Sequence, residues 1–279
     1  MRNLVRVLNH KGKKGDVIRI PTPTRGAASA KSAETIVTFQ QHGTDTGLTV
    51  TINQHYEYSR LIEDFADVQA LESLRRFYTD DAGFALSTQV DTDLIVGILG
   101  TAITYASGNI DSASTFPTMY EGDGTTWDEQ GSTDITDAGI RTMMKVLDDS
   151  NVPFADRFLV VPTIVKKDLL GLARFTEQAF TGEVAGANSI RNGLIGNIYN
   201  MPVFVSTNLP TVEDSSGTAD NKLGLMFQRD AQVLVEQVGM RAQKQYKQEY
   251  LADLLTVDTI YGEQQLRSEA VAPFVVPTT

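Results

Sequence analysis

The sequence predicts an α+β fold: strands first, one long helix next, then a mixed region of helices and strands. Three observations predict it. Apolar and polar residues alternate with period two between Asp16 and Ile52, with β-branched residues enriched. Apolar residues recur at spacings of three and four between about 64 and 106. After a polar stretch at 107–135, short helical and strand-like segments interleave. The chain has 279 residues, 41% of them apolar and 21% charged, an ordinary globular composition with enough length to bury a core.

In order, Asp16-Val17-Ile18-Arg19-Ile20 alternates and stops at Pro21-Thr22-Pro23. Thr35-Ile36-Val37-Thr38-Phe39 and Leu48-Thr49-Val50-Thr51-Ile52 read as strands on either side of the Gly43–Gly47 turn. A hairpin of this kind is marginal alone and needs a partner surface. Asp64 is placed to cap the long helix, with Asp67 favouring its dipole. Phe65, Val68, Leu71, Leu74, Phe77 and Tyr78, then Val90, Leu94, Ile95, Ile98 and Leu99, mark one buried face, and Gly83 weakens the middle.

The polar loop 107–135, with Trp127 inside it, is the best domain boundary. Thr136 caps a helix carrying Ile140, Met143, Met144 and Leu147, which ends before Asn151-Val152-Pro153. Arg157-Phe158-Leu159-Val160-Val161 is a buried strand closed by Pro162, and Thr163 caps a helix to about Leu172. Residues 173–192 are rich in Gly, Ala and Asn and read as mobile. Strands follow near 194–199, 203–207, 223–228 and 231–238. The stretch 241–279 alternates in part (Leu255, Val257, Thr259, Tyr261) and ends in Val271-Ala272-Pro273-Phe274-Val275-Val276.

The chemistry of common active sites is missing. There is no cysteine, which excludes disulfides and thiolate chemistry, and the three histidines (His10, His42, His55) all lie in the first fifth of the chain. His42 and His55 have no acidic partner at ligand spacing. No GxxxxGK[ST] loop or Gly-x-Ser-x-Gly elbow occurs. The acidic pairs Asp80-Asp81, Asp91 with Asp93, and Asp148-Asp149 read as solvated surface, since adjacent helix positions do not face one another. No cofactor and no metal is expected. No apolar run is long enough for a membrane span, and the basic first residues lack the apolar stretch of a signal peptide.

Charge is unevenly spread. Residues 1–31 hold eight Lys/Arg (Arg2, Arg6, Lys11, Lys13, Lys14, Arg19, Arg25, Lys31) against Asp16, a balance of +7. The remainder holds 16 basic and 34 acidic residues, a balance of -18. The basic run fits a solvated loop, a contact with the acidic body of another copy, or a nucleic-acid contact. It lacks the interleaved aromatics of a usual nucleic-acid module.

The order of elements resembles the HK97-type major capsid proteins of tailed phages, above all those of short-tailed phages. Several stretches carry the resemblance: Arg2-Asn3-Leu4-Val5-Arg6 leading to Asp16–Pro21, Leu48–Ile52 followed by Ile62-Glu63-Asp64, and Asn151-Val152-Pro153 before Asp156–Pro162. Met201-Pro202-Val203-Phe204-Val205 through Leu209-Pro210, and Gly262 through Leu266–Ala270, complete it. The similarity runs in order along nearly the whole chain. Three departures stand out: the chain starts at Met1-Arg2-Asn3 where the family usually has an N-terminal arm before the loop, Asn200 replaces a common glycine, and Ser268 replaces a common proline.

The resemblance implies an HK97-type fold: a short N-terminal segment (1–14), an extended loop or E-loop (15–60), a peripheral domain with a spine helix (61–107), an axial domain (108–240), and peripheral return strands (241–279). It implies a structural, non-enzymatic protein. Its copies form pentamers and hexamers of an icosahedral shell around double-stranded DNA, bound without sequence specificity. Portal and scaffolding proteins, and a decoration protein, are the implied partners, and the virion the location after assembly in the host cytoplasm. Arg6, Lys11, Lys13, Lys14, Arg19, Arg25 and Lys31, with Arg174, Glu177, Glu183 and Arg191 of the 173–192 stretch, become candidate inter-subunit contacts. The alternatives are an encapsulin-like compartment and, from another class, a soluble nucleic-acid-binding protein using the basic segment.

Overall fold

The computed structural model describes residues 1–279 apart from 23–27, 38–45, 65–73, 101–102, 107, 113, 115–116, 173–195, 219 and 279. Two sheets and a separate hairpin account for the strands among the described residues. The four-stranded sheet is built on one long antiparallel ribbon. Its strands are β1 (Arg6–Asn9), β4 (Gln54–Glu63), β13 (Gln232–Lys247) and β14 (Ala252–Gln265), in the order β1-β13-β14-β4. Helix α1 (Leu74–Gly97) packs on this sheet. The hairpin pairs β2 (Val17–Thr22) with β3 (Thr46–Thr51) in antiparallel register, from Val17 opposite Thr51 to Thr22 opposite Thr46.

The nine-stranded sheet holds β5 (Tyr105–Ala106), β6 (Asn109–Ile110), β7 (Tyr120–Glu121), β8 (Arg157–Val161), β9 (Asn197–Ile198), β10 (Met201–Val205), β11 (Thr211–Val212), β12 (Asn221–Gln228) and β15 (Val271–Pro277). Among the described residues, helices α2 (Asp137–Asp149) and α3 (Thr163–Gly171) belong to this half. The main core gathers Leu94 and Ile95 of α1, Ile98 just beyond its end, Ile140, Met143 and Leu147 of α2, and the buried strands β8, β12 and β15.

Local sequence explains much of this. Thr136 caps α2 as expected, its side chain accepting from Gly139 N at 3.0 Å. Strand β8 has the predicted bounds. Between β9 and β10 the chain reverses on Tyr199 and Asn200, both at positive φ (48° and 64°), the conformation a tight two-residue hairpin needs. Asparagine tolerates this left-handed conformation.

Other expectations need correction. The long helix ends at Gly97 rather than near 106. Gly100 takes φ 109°, and Tyr105–Ala106 then pairs with Asn109–Ile110. Phe77 is 64% exposed and lies off the buried face, which runs instead through Ala82, Leu86, Val90 and Leu94. Residues 35–37 form no strand, and Thr38 and Phe39 lie outside the described residues, as do Phe65, Val68 and Leu71. Thr163 starts α3 without capping it; the N-cap position is Pro162, with no side-chain cap.

The polar stretch 107–135 is no slack linker. Ile110, Met119, Trp127 and Ile135 enter the main core, and Trp127 Nε1 donates to Gln130 O at 3.3 Å. The last strand leaves the sheet of β14 and runs antiparallel to β12 across Val271–Pro277.

Gly224 of β12 sits opposite Phe274 of β15, whose ring lies across it; a Cβ on Gly224 would stand 2.2 Å from Phe274 Cζ. We predict that Gly224→Ala lowers stability by about 1–3 kcal/mol, the usual scale of overpacking. Adding Phe274→Leu should recover part of that loss, which denaturant unfolding of the single and double variants will read.

Candidate assembly surfaces

The basic N-terminal run splits into two groups. One group spends its charge inside the subunit. Strand β1 runs parallel to β13 and brings Arg2, Arg6 and Lys11 to acidic residues of β13 and of the turn before it. Arg2 grips the Glu236 carboxylate through both Nε and Nη2, the latter at 3.0 Å, and Lys11 Nζ lies 3.6 Å from Glu236 Oε2. Arg6 Nη1 lies 3.9 Å from Asp230. Glu236 is held below the ordinary carboxylate range, first by the Arg2 hydrogen bond, against a smaller opposing effect of burial, and by the charges of Arg2 and Lys11.

The other group faces outward. The loop carrying Lys13 and Lys14 is fixed through its backbone, since Gln237 Nε2 donates to Lys13 O (3.2 Å) and Gly15 O (2.9 Å). The side chains of Lys13, Lys14, Arg19 and Lys31 are exposed and form no ion pair among the described residues. Arg25, Arg174, Glu177, Glu183 and Arg191 lie outside the described residues.

The hairpin is anchored at its base. Val50 and Ile52 pack with Val233 and Val235, joined by Ile18 and Ile20. A Cβ on Gly262 would meet Thr51 O at 2.3 Å, so the base lies directly on the backbone of β14. Farther out Ile36 is 90% exposed, and Val37 is exposed with it. Burying such residues is favourable by roughly 1.5–3 kcal/mol each.

Two further apolar surfaces escaped the sequence reading. At the far end of the β13–β14 ribbon, Tyr246, Tyr250 and Leu251 are exposed, with Leu61 of β4 also exposed. The signal was present in Tyr250-Leu251, two large residues at a turn between alternating strands, where polar residues are usual. On α1, Phe77 and Phe84 stand seven residues apart and both face outward.

Of the acidic pairs, Asp80, Asp148 and Asp149 are exposed, as read, while Asp81, Asp91 and Asp93 are part-buried. Tyr58 donates to Asp81 at 2.6 Å, Asp148 meets the buried Arg157 at 2.7 Å, and Asp149 pairs with Lys145. Asp93 lies at the helix–sheet seam, where it accepts from Gln89 at 2.8 Å and from Tyr261. His55 Nε2 lies 3.4 Å from Asp258, a partner far away in sequence. Among the described residues no group of three or more His, Asp or Glu side chains is placed to hold a metal, and no helix is long and apolar enough to cross a membrane.

These features define the class: an α+β subunit with a base-anchored hairpin and exposed apolar ends, resembling the shell-forming fold. Solved structures agree. The chain superposes on a protein of Mycobacterium phage Che8 with TM-score 0.67 and 22% identity, over 94% of this chain and 85% of that one. It superposes on the capsid of the cyanophage P-SCSP1u with TM-score 0.71 and 16% identity, over 99% and 87%. For the capsid of Ralstonia phage GP4 the values are 0.70 and 14%, over 100% and 88%. At these identities the likeness speaks for the fold, which is HK97-type. No curated protein matches significantly.

Residues 47–261 match the phage capsid protein family, and the chain belongs to it. It is a structural protein of a phage shell, and the resemblance to tailed-phage major capsid proteins holds.

The Glu236 cluster yields a test. Its lowered carboxyl contributes stability that is present above the ordinary glutamate range and lost as pH falls through its folded value. Glu236→Gln should therefore cost about 1 kcal/mol at neutral pH, the scale of a part-exposed ion pair. Urea unfolding of both proteins at pH 7 and pH 3 should show the difference shrink at the lower pH.

Proposed function

We propose that the chain assembles with copies of itself into pentamers and hexamers of an icosahedral shell that encloses double-stranded DNA. The family match over 47–261 carries this reading, together with a hairpin whose outer apolar and basic residues lack partners in their own subunit among the described residues. In this reading the extended loop (15–60) lies over a neighbouring subunit. Residues 61–107 and the return strands from 241 form the peripheral part around α1, and 108–240 form the axial part, joined by β15. Individual contacts are weak, but a closed shell engages many at once.

Lys13, Lys14, Arg19 and Lys31 are the contacts we favour, because they are exposed and form no ion pair among the described residues, whereas Arg6 and Lys11 serve β13 and the turn before it. Arg25, Arg174, Glu177, Glu183 and Arg191 remain contact candidates on the resemblance alone. A net charge of -11 disfavours tight binding to packaged DNA, which suits a container that must release its genome. Portal, scaffolding and decoration proteins are the further partners of this reading. Assembly takes place in the host cytoplasm and the product is the virion shell.

Negative-stain microscopy of the expressed protein should show uniform polyhedral shells; dispersed subunits with or without scaffolding protein would contradict the proposal. Reversing charge at Lys13, Lys14 and Arg19 together should abolish shells while leaving folded subunits. Normal shells from that variant would remove these residues from the contact set.

A further inference from the structure

Helix α1 meets the four-stranded sheet through polar groups along one stripe. Gln89, Asp93 and Gly97 stand four residues apart on it. Asp93 accepts from Gln89 Nε2 (2.8 Å) and from the Tyr261 hydroxyl of β14, and the Tyr56 hydroxyl of β4 also acts on it. Glu263, two residues along β14 from Tyr261, lies against the last turn of the helix. A Cβ on Gly97 would stand 2.7 Å from Glu263 Oε2 and 2.8 Å from Gln232 Nε2. Gln232 Nε2 donates to Glu263 Oε2 at 3.0 Å, while the buried Gln232 Oε1 has no hydrogen-bond partner.

We propose that this seam is a proton-dependent latch: neutral Glu263 holds the C-terminal half of α1 against the sheet, and ionised Glu263 releases it. A neutral carboxyl carries an O–H donor, which the ionised form lacks. That donor is what the orphaned Gln232 Oε1 needs; an acid and an amide side by side then close with two hydrogen bonds. Ionised Glu263 instead leaves Oε1 unsatisfied and faces a second carboxyl.

The titratable groups facing Glu263 are Asp93 from α1, Tyr56 from β4 and Tyr261 from β14, while β13 presents the neutral Gln232. Among the described residues no cation acts on Glu263 or Asp93. Burial first, and the Asp93 charge second, push Glu263 up to about 8. Burial also raises Asp93, and burial and the bond to Asp93 raise Tyr261, so its hydroxyl stays a donor.

The folded state thus keeps a proton that the unfolded chain releases near the model-peptide value of about 4.3. The stability this contributes is fully present below that pH and is lost as pH rises through about 8. The inference concerns the subunit and stands apart from the shell reading.

Hydrogen exchange of the full chain, as subunits and as shells, tests it after correction for the intrinsic pH dependence of exchange. Amides of 89–98 and 260–265 should lose about tenfold or more of their protection between pH 6 and pH 9, one pKa unit corresponding to tenfold. Glu263→Gln should keep its protection at pH 9. Asp93→Asn removes the neighbouring charge and should make the loss smaller and move it to lower pH. An equal loss in the original protein and both variants, or full protection of the original protein at pH 9, would overturn the latch. If Glu263→Gln fails to fold, the Asp93→Asn comparison decides alone.

Discussion

Two crossings between the β13–β14 ribbon and the large sheet are tied together at Ala231. The chain leaves the large sheet at the end of β12, turns through Arg229–Ala231 and becomes β13; it returns through Ser268–Ala270 into β15. The two turns are tied where Ala231 O accepts from both Leu266 N (2.8 Å) and Arg267 N (3.2 Å). Ala231 and Ala270 are fully buried there. A carbonyl has two lone pairs, and this one uses both to hold two crossings together. Because the same ribbon supports β1, β4, the hairpin base and α1, the junction fixes what each half presents to its surroundings.

That arrangement separates folding from assembly. Inside the subunit the N-terminal cations neutralise β13 and the turn before it, and Arg157 ties Asp148 to the carbonyls of Val152 and Pro153 (2.7 and 3.0 Å). Outward, the hairpin beyond its base, the ribbon tip and the outer face of α1 keep apolar residues in solvent. Exposed large residues gathered at the ends of rigid elements mark interaction sites more than scattered ones do. The subunit is complete as a folded body and incomplete as a surface.

The sequence made some of this legible and hid the rest for physical reasons. Local signals came through. Thr136 caps its helix, Pro162 closes β8, and Asn200 takes the left-handed turn, because each effect acts within a few residues. Long-range partnerships did not. Asp93 reads as a surface acid because nothing near it reveals Tyr261, 168 residues away. The stretch 107–135 reads as a polar loop because Met119, Trp127 and Ile135 lie too far apart to show a period, although each reaches the core. Strand β13 reads as stopping near 238 because the chain is irregular there, with register shifts between Glu236 and Val238 and between Val238 and Arg241. Among the candidate contacts, the basic run was visible as a run. Its division into residues serving β13 and residues facing outward needed the pairing of β1 with β13.

A reconstruction of the assembled particle at side-chain resolution tests the central claim, that the subunit leaves its hairpin for a neighbour to cover. The account predicts that Ile36 and Val37 lose their exposure against an adjacent subunit while Val50 and Ile52 stay on Val233 and Val235 of their own. Shells in which Ile36 and Val37 remain in solvent, or fold back onto their own subunit, would contradict it.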